Sequence, residues 1–135
     1  VKVLIVDDSA IIRDRLAALM GELPGVDLIE ARGADEALAV ARESRPAVVV
    51  LDLHMPGKSG LAVIADLKAL SPAPVVVVLT CEPTESVRQK CIAKGANFFF
   101  DKAFDFASVL EAAMGPTGDE PVSDASSRDV PRGKE

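Results

Sequence analysis

Five short apolar runs, VLIV at 3–6, DLIEA at 27–31, AVVVL at 47–51, PVVVVL at 74–79 and NFFF at 97–100, alternate along the chain with segments of helical periodicity. Runs of that length, mostly β-branched or aromatic and without strict alternation, suit strands covered on both faces. The first intervening segment sets Ile11, Ile12, Leu16, Leu19, Met20 and Leu23 against Arg13, Asp14 and Glu22, and ends at Pro24-Gly25. ADEALAVARES stops before Arg45-Pro46, GLAVIADLKAL before Ser71-Pro72, TESVRQKCIAK at Gly95 and DFASVLEAAM at Gly115. Strand and helix repeated in this way predict an α/β fold, a doubly wound five-stranded parallel sheet with helices on both faces and right-handed crossovers.

The 135 residues are enough for one domain, assigned to residues 1–114. Beyond Met114, GPTGDEPVSDASSRDVPRGKE offers only Val122, Ala125 and Val130 as aliphatic residues beside Pro116, Pro121 and Pro131, so residues 115–135 are expected to form a disordered tail. No apolar run is long enough to span a bilayer and no signal peptide opens the chain, which gives the expectation of a cytoplasmic protein without a membrane partner. The net charge of -6, with 15 basic residues scattered among 21 acidic ones, argues against a nucleic-acid partner. Cys81 and Cys91 fit neither a CxxC motif nor a disulfide scaffold and are read as reduced thiols in a helical region.

Polar residues follow four of the apolar runs: Asp7-Asp8, Asp52, Thr80 and Asp101-Lys102. In a parallel sheet these positions share the carboxyl edge, where ligands of such folds bind. Each is unremarkable alone, as a helix-terminal acid, a turn residue, a strand former or a surface charge. Together they converge. Adjacent carboxylates repel by as much as ~4 kcal/mol at about 4 Å and an effective dielectric near 20, so cations are required nearby. Lys102 supplies one positive charge against Asp7, Asp8 and Asp52, and Mg²⁺, which prefers carboxylate oxygens and retained waters, supplies two more.

The acidic pair of IVDD, the segment VVLDLHMPGKSG, the LT of VVVVLT and the lysine of FFFDKAF, in that order over residues 2 to about 114, resemble the receiver domain of bacterial two-component response regulators, in a form similar to stand-alone chemotaxis regulators. The resemblance implies a flavodoxin-like (βα)5 fold with strand order 2-1-3-4-5. It implies a phosphoprotein of signal transduction rather than an enzyme in its own right, one that assists its own phosphotransfer and dephosphorylation. Asp52 would accept a phosphoryl group from a histidine kinase or phosphotransfer protein, and a downstream protein would read the change. Metal binding would fall to Asp7, Asp8, Asp52 and the backbone carbonyl of His54, with Mg²⁺ as the cofactor. Lys102 would pair with the acceptor and phosphoryl oxygens, Thr80 would bond the phosphoryl group, and Phe99 would be the switch aromatic. The side chains of His54 and Glu82 fall at outer positions that influence how fast the phosphoryl group is lost.

Period-2 alternation puts Phe99 on the opposite sheet face from Phe98 and Phe100, and these with Phe104 and Phe106 are first of all core candidates. Two residues depart from the family pattern. Ala103 replaces the usual proline after the lysine; a cis bond before alanine costs about 2.5–4 kcal/mol, so the Lys102–Ala103 bond is expected to be trans. Cys81 replaces a small residue after the threonine and is expected to narrow access to the site. A haloacid-dehalogenase-type phosphatase would need an acid at His54 and room for a cap; a dinucleotide site would need GxGxxG where DDSA stands. A pseudo-receiver would not be expected to keep the complete acid, threonine and lysine set.

Overall fold

The computed structural model describes residues 1–54 and 59–102. Its elements are β1 (Lys2–Val6), α1 (Ala10–Met20), β2 (Asp27–Ala31), α2 (Ala34–Ser44), β3 (Val48–Leu51), α3 (Gly60–Lys68), β4 (Val75–Thr80), α4 (Glu85–Ala93) and β5 (Phe98–Asp101). All neighbouring strands are parallel, in the order β2-β1-β3-β4-β5, the doubly wound arrangement expected. The expected fifth helix, the tail at 115–135, Phe104, Phe106 and the Lys102–Ala103 bond lie outside the described residues.

Alternation divides the buried strand residues between two layers. Leu4, Val6, Val49, Leu51, Val76 and Val78 pack with Leu38 of α2, Val63, Ile64 and Leu67 of α3 and Cys91 of α4. On the other face Val3, Ile5, Val48, Val50, Val77 and Leu79 pack with Leu16 and Met20 of α1. Burying each such side chain contributes about 1.5–3 kcal/mol. Phe99 joins the first layer, while Phe98 and Phe100 stack at 6.0 Å in the second, as their alternation requires.

The structure corrects three local expectations. Strands β2 and β5, the edges of the expected order, are less fully covered on their faces than the apolar runs imply: Asp27 and Glu30 of β2 are exposed, and all of β5 is only partly buried. The apolar face of α1 is narrower than the periodicity suggested. Ile12, Leu16 and Met20, at i, i+4 and i+8, face the sheet, whereas Ile11 is 72% exposed and Leu19 also faces outward. The helix ends at Met20, four residues before Pro24, so Leu23 lies in the following turn. Cys81 lies between β4 and α4, exposed, and only Cys91 is helical.

Candidate functional site

Strand register brings the polar residues together. Val6 of β1 lies beside Leu51 of β3, so Asp7 and Asp52 emerge from neighbouring strand ends. The Asp52 N–H donates to the Val6 carbonyl at 2.9 Å and the Asp7 N–H to the Ala31 carbonyl at 3.1 Å, extending the ladder to the acids themselves. Thr80 closes β4 beside Asp101, the last residue of β5, and the Lys102 N–H donates to the Thr80 carbonyl at 2.8 Å.

Oxygen atoms of Asp7, Asp8 and Asp52 all lie within 4.8 Å of one another. Asp7 and Asp52 are buried and Asp8 is exposed. Lys102 Nζ is 2.9 Å from Asp7 Oδ2 and 3.3 Å from Asp52 Oδ2, so the expected counter-charge serves the two buried acids. Ser9, the N-cap of α1, donates its N–H to Asp7 Oδ1 at 2.9 Å, leaving Oδ2 to Lys102. The His54 N–H donates to Asp52 Oδ1 at 3.1 Å.

Burial raises the Asp52 carboxyl above its ordinary value, and the nearby Asp7 charge adds to that; the His54 N–H and Lys102 pull against it and lose. Burial pulls Lys102 down, but its hydrogen bond to Asp7 and the charges of Asp52 and Asp7 more than offset that, and its value ends above the ordinary one. Fully buried Thr80 accepts the Glu82 N–H on Oγ1 at 3.0 Å. Outside this group, His54 Nε2 meets Glu82 Oε1 at 3.2 Å, an exposed contact between the loops after β3 and β4. Gly60 starts α3 against the first of these loops: a Cβ there would come within 2.9 Å of the Leu53 backbone, beside Asp52.

Every sequence-expected site residue except Phe99 thus lies at the carboxyl edge. Phe99 sits within β5 beside Val78, two residues before Thr80, and packs on the α4 side of the sheet. Two residues with no expected role at the site also support it, Ser9 and Arg13, whose Nη1 donates to the Asp7 carbonyl at 2.7 Å. A signal was available, because an arginine in the first turn and a half of a helix points back toward its N-terminus. Among the described residues, three carboxylates facing one lysine form an oxygen-rich, net negative donor set that fits a hard divalent cation. No helix of the described residues is long and apolar enough to cross a membrane.

Known proteins place this arrangement. The protein-glutamate methylesterase/protein-glutamine glutaminase 2 of Anaeromyxobacter dehalogenans is 39% identical over 112 residues, 82% of this chain and 33% of that protein. The virulence factors putative positive transcription regulator BvgA of Bordetella pertussis is 38% identical over 113 residues, 83% of this chain and 54% of that protein. The chain therefore spans a third to about half the length of these curated relatives, where the matched region belongs to longer proteins. A response regulator protein from Burkholderia pseudomallei, solved with a phosphorylated aspartic acid, calcium ion and citrate, superposes with a TM-score of 0.76 at 28% identity, covering 85% of this chain and 67% of that one. Chemotaxis protein CheY4 of Vibrio cholerae gives 0.74 at 29% identity, covering 82% and 93%. A family model, the response regulator receiver domain, matches residues 3–114. With that match extending over most of its length, the chain belongs to the response regulator receiver domain family, the phospho-accepting modules of two-component signalling.

Proposed function

We propose that Asp52 is the phosphoacceptor, taking its phosphoryl group from the phosphohistidine of a sensor histidine kinase or phosphotransfer protein. One observation carries this reading: Asp7, Asp8, Asp52 and Lys102, from three strand ends, converge on one point, with the acceptor buried and the lysine 3.3 Å away. A carboxylate oxygen of Asp52 attacks phosphorus; a P–O bond forms, the P–N bond breaks, and the imidazole leaves with a proton from solvent. Lys102 holds charge developing on the transferred oxygens, a positioning and electrostatic task rather than a covalent one. Asp7, Asp8, Asp52 and the His54 carbonyl are proposed to hold Mg²⁺, which when bound neutralises phosphoryl oxygens.

Phosphorylation removes one negative charge from Asp52 and adds about two, so further donors are wanted. Thr80 is the proposed donor, because its oxygen already accepts from Glu82 and its proton is the remaining polar function. A threonine drawn toward the phosphoryl group leaves space beside β5 into which Phe99 turns, and the α4–β5 face changes with it. The bond to phosphate is the differential contact that a shift between two states requires. The output is read as a contact with a downstream protein in the cytoplasm, since the acidic net charge of the chain disfavours a nucleic-acid surface. Beryllofluoride with Mg²⁺ tests the reading by NMR. The amides of Asp52, Thr80, Lys102 and the α4–β5 face should shift, and in Thr80→Ala the distal part of that response should shrink. Unchanged amides around Asp52 would overturn the acceptor; a full distal response in Thr80→Ala would overturn the switch.

A further inference from the structure

Arg13, the fourth residue of α1, is 12% exposed and bridges three elements. Its Nη1 donates to the Asp7 carbonyl, just past the end of β1, at 2.7 Å, and its Nε donates to Glu30 Oε1 on β2 at 2.9 Å. We propose that Arg13 is a positioning residue for the acidic site: it sets the affinity for a divalent cation by fixing the direction of Asp8, without touching the cation. This inference rests on the reading of Asp7, Asp8 and Asp52 as the metal-binding group.

Asp8 makes it necessary. Asp8 is exposed, and among the described residues its carboxylate has no hydrogen bond or ion pair, so among them only the backbone around it sets where its side chain starts. Most of that backbone is already anchored. The Asp7 N–H is held by Ala31, the Ser9 N–H by Asp7 Oδ1, and the Ile12 N–H by Ser9 Oγ at 3.3 Å. The Asp7–Asp8 peptide itself is the remaining freedom. Its carbonyl oxygen and the Asp8 nitrogen lie in one plane, so a donor that fixes the oxygen fixes the rotation of the unit that launches Asp8. Arg13 is that donor, and the ion pair to Glu30 holds the guanidinium in place. The rigid planar fork lets one side chain reach both partners, which a lysine's single ammonium does not reproduce.

Positioning and simple charge predict opposite signs. Removing a cation beside three acids would by itself make them more attractive to Mg²⁺; loosening Asp8 makes them less so. Calorimetric titration with Mg²⁺ alone separates the two, run on the wild type, Arg13→Ala, Arg13→Lys and Glu30→Gln, with a melting temperature recorded for each. Arg13→Ala should bind about tenfold more weakly, as when other supports of metal ligands are removed. Arg13→Lys should fall between it and the wild type. Glu30→Gln, which removes the charge of the pair but keeps an oxygen to accept from Arg13 Nε and spares the carbonyl bond, should stay within about twofold of wild type even if its melting temperature falls. Unchanged or tighter binding in Arg13→Ala overturns the inference, as does equal weakening in Glu30→Gln. If Arg13→Ala does not fold, wild-type affinity in Arg13→Lys overturns it instead. A wild type that binds no Mg²⁺ refutes the metal-site reading itself and this inference with it.

Discussion

Lys68 and Lys102 are both partly buried, at opposite edges of the same sheet, and they keep opposite company. Lys68, the last residue of α3, donates to the Pro74 carbonyl and to Asn97 Oδ1, each at 2.8 Å, where β4 and β5 begin. Both acceptors are neutral, and burial holds the lysine below its ordinary pKa. Lys102 suffers burial too, yet its carboxylate partners bring it out above the ordinary value. The amino edge is closed on itself: Asn97 Oδ1 also accepts the Val76 N–H at 2.9 Å, so a single knot ties α3, β4 and β5. At the carboxyl edge, among the described residues, three acids face one lysine. One lysine completes a structure; the other leaves a charge imbalance that a ligand can answer.

The contrast can be broken most forcefully by truncating each lysine. Lys102→Ala strands two buried carboxylates and should cost about 3 kcal/mol without divalent cations, with part of the loss restored by Mg²⁺. Lys68→Ala should cost about 2 kcal/mol, from two charge-assisted hydrogen bonds and lost packing, and Mg²⁺ should restore none of it. Urea unfolding of both variants with and without Mg²⁺ measures this; equal rescue of the two would erase the distinction.

The pH dependence sharpens it. The Lys68 folded value is lowered, so its burden on stability is full below that value and is relieved as pH rises from there to the ordinary 10.5. The Lys102 folded value is raised, so its contribution is full below 10.5 and is lost as pH rises through the higher folded value. Alkaline unfolding of wild type against Lys68→Met and Lys102→Met should therefore give differences of opposite slope.

Asp52→Asn tests the imbalance from the acid side. Without metal it should be more stable than wild type by about 1 kcal/mol, since it removes a desolvated charge. Because the Asp52 pKa is raised in the folded state, that advantage should fade as pH falls through the folded value toward 3.8. A variant less stable than wild type at neutral pH would mean that the lysine already satisfies the site. The smallest effect belongs to the exposed His54–Glu82 contact, where Glu82→Gln should change stability by less than about 0.5 kcal/mol.

The same two edges mark what the sequence made legible. The carboxyl edge was readable because one residue type after each strand is enough to place it: Asp7, Asp52 and Thr80 stand where the ends of AVVVL and its neighbours put them, and β2 and α2 span the residues expected. The Lys68 knot was not readable, because its partners are a carbonyl and an amide brought in from 6 and 29 residues away. Periodicity also overcounted α1, whose Ile11 is apolar and helical in spacing yet points outward, since only a narrow stripe meets the sheet. Arg13 looked like part of a solvated face, and only the turn of the chain beneath it gives it a role.

The central claim is that the imbalance at the carboxyl edge exists to carry a phosphoryl group on Asp52. Incubating the protein with a small phosphodonor and Mg²⁺, then mapping the added mass by peptide, tests it most directly. The expected result is a single base-labile phosphate on the peptide containing Asp52, absent from Asp52→Asn. Labelling of Asp52→Asn equal to wild type, or no labelling of the wild type, would contradict it.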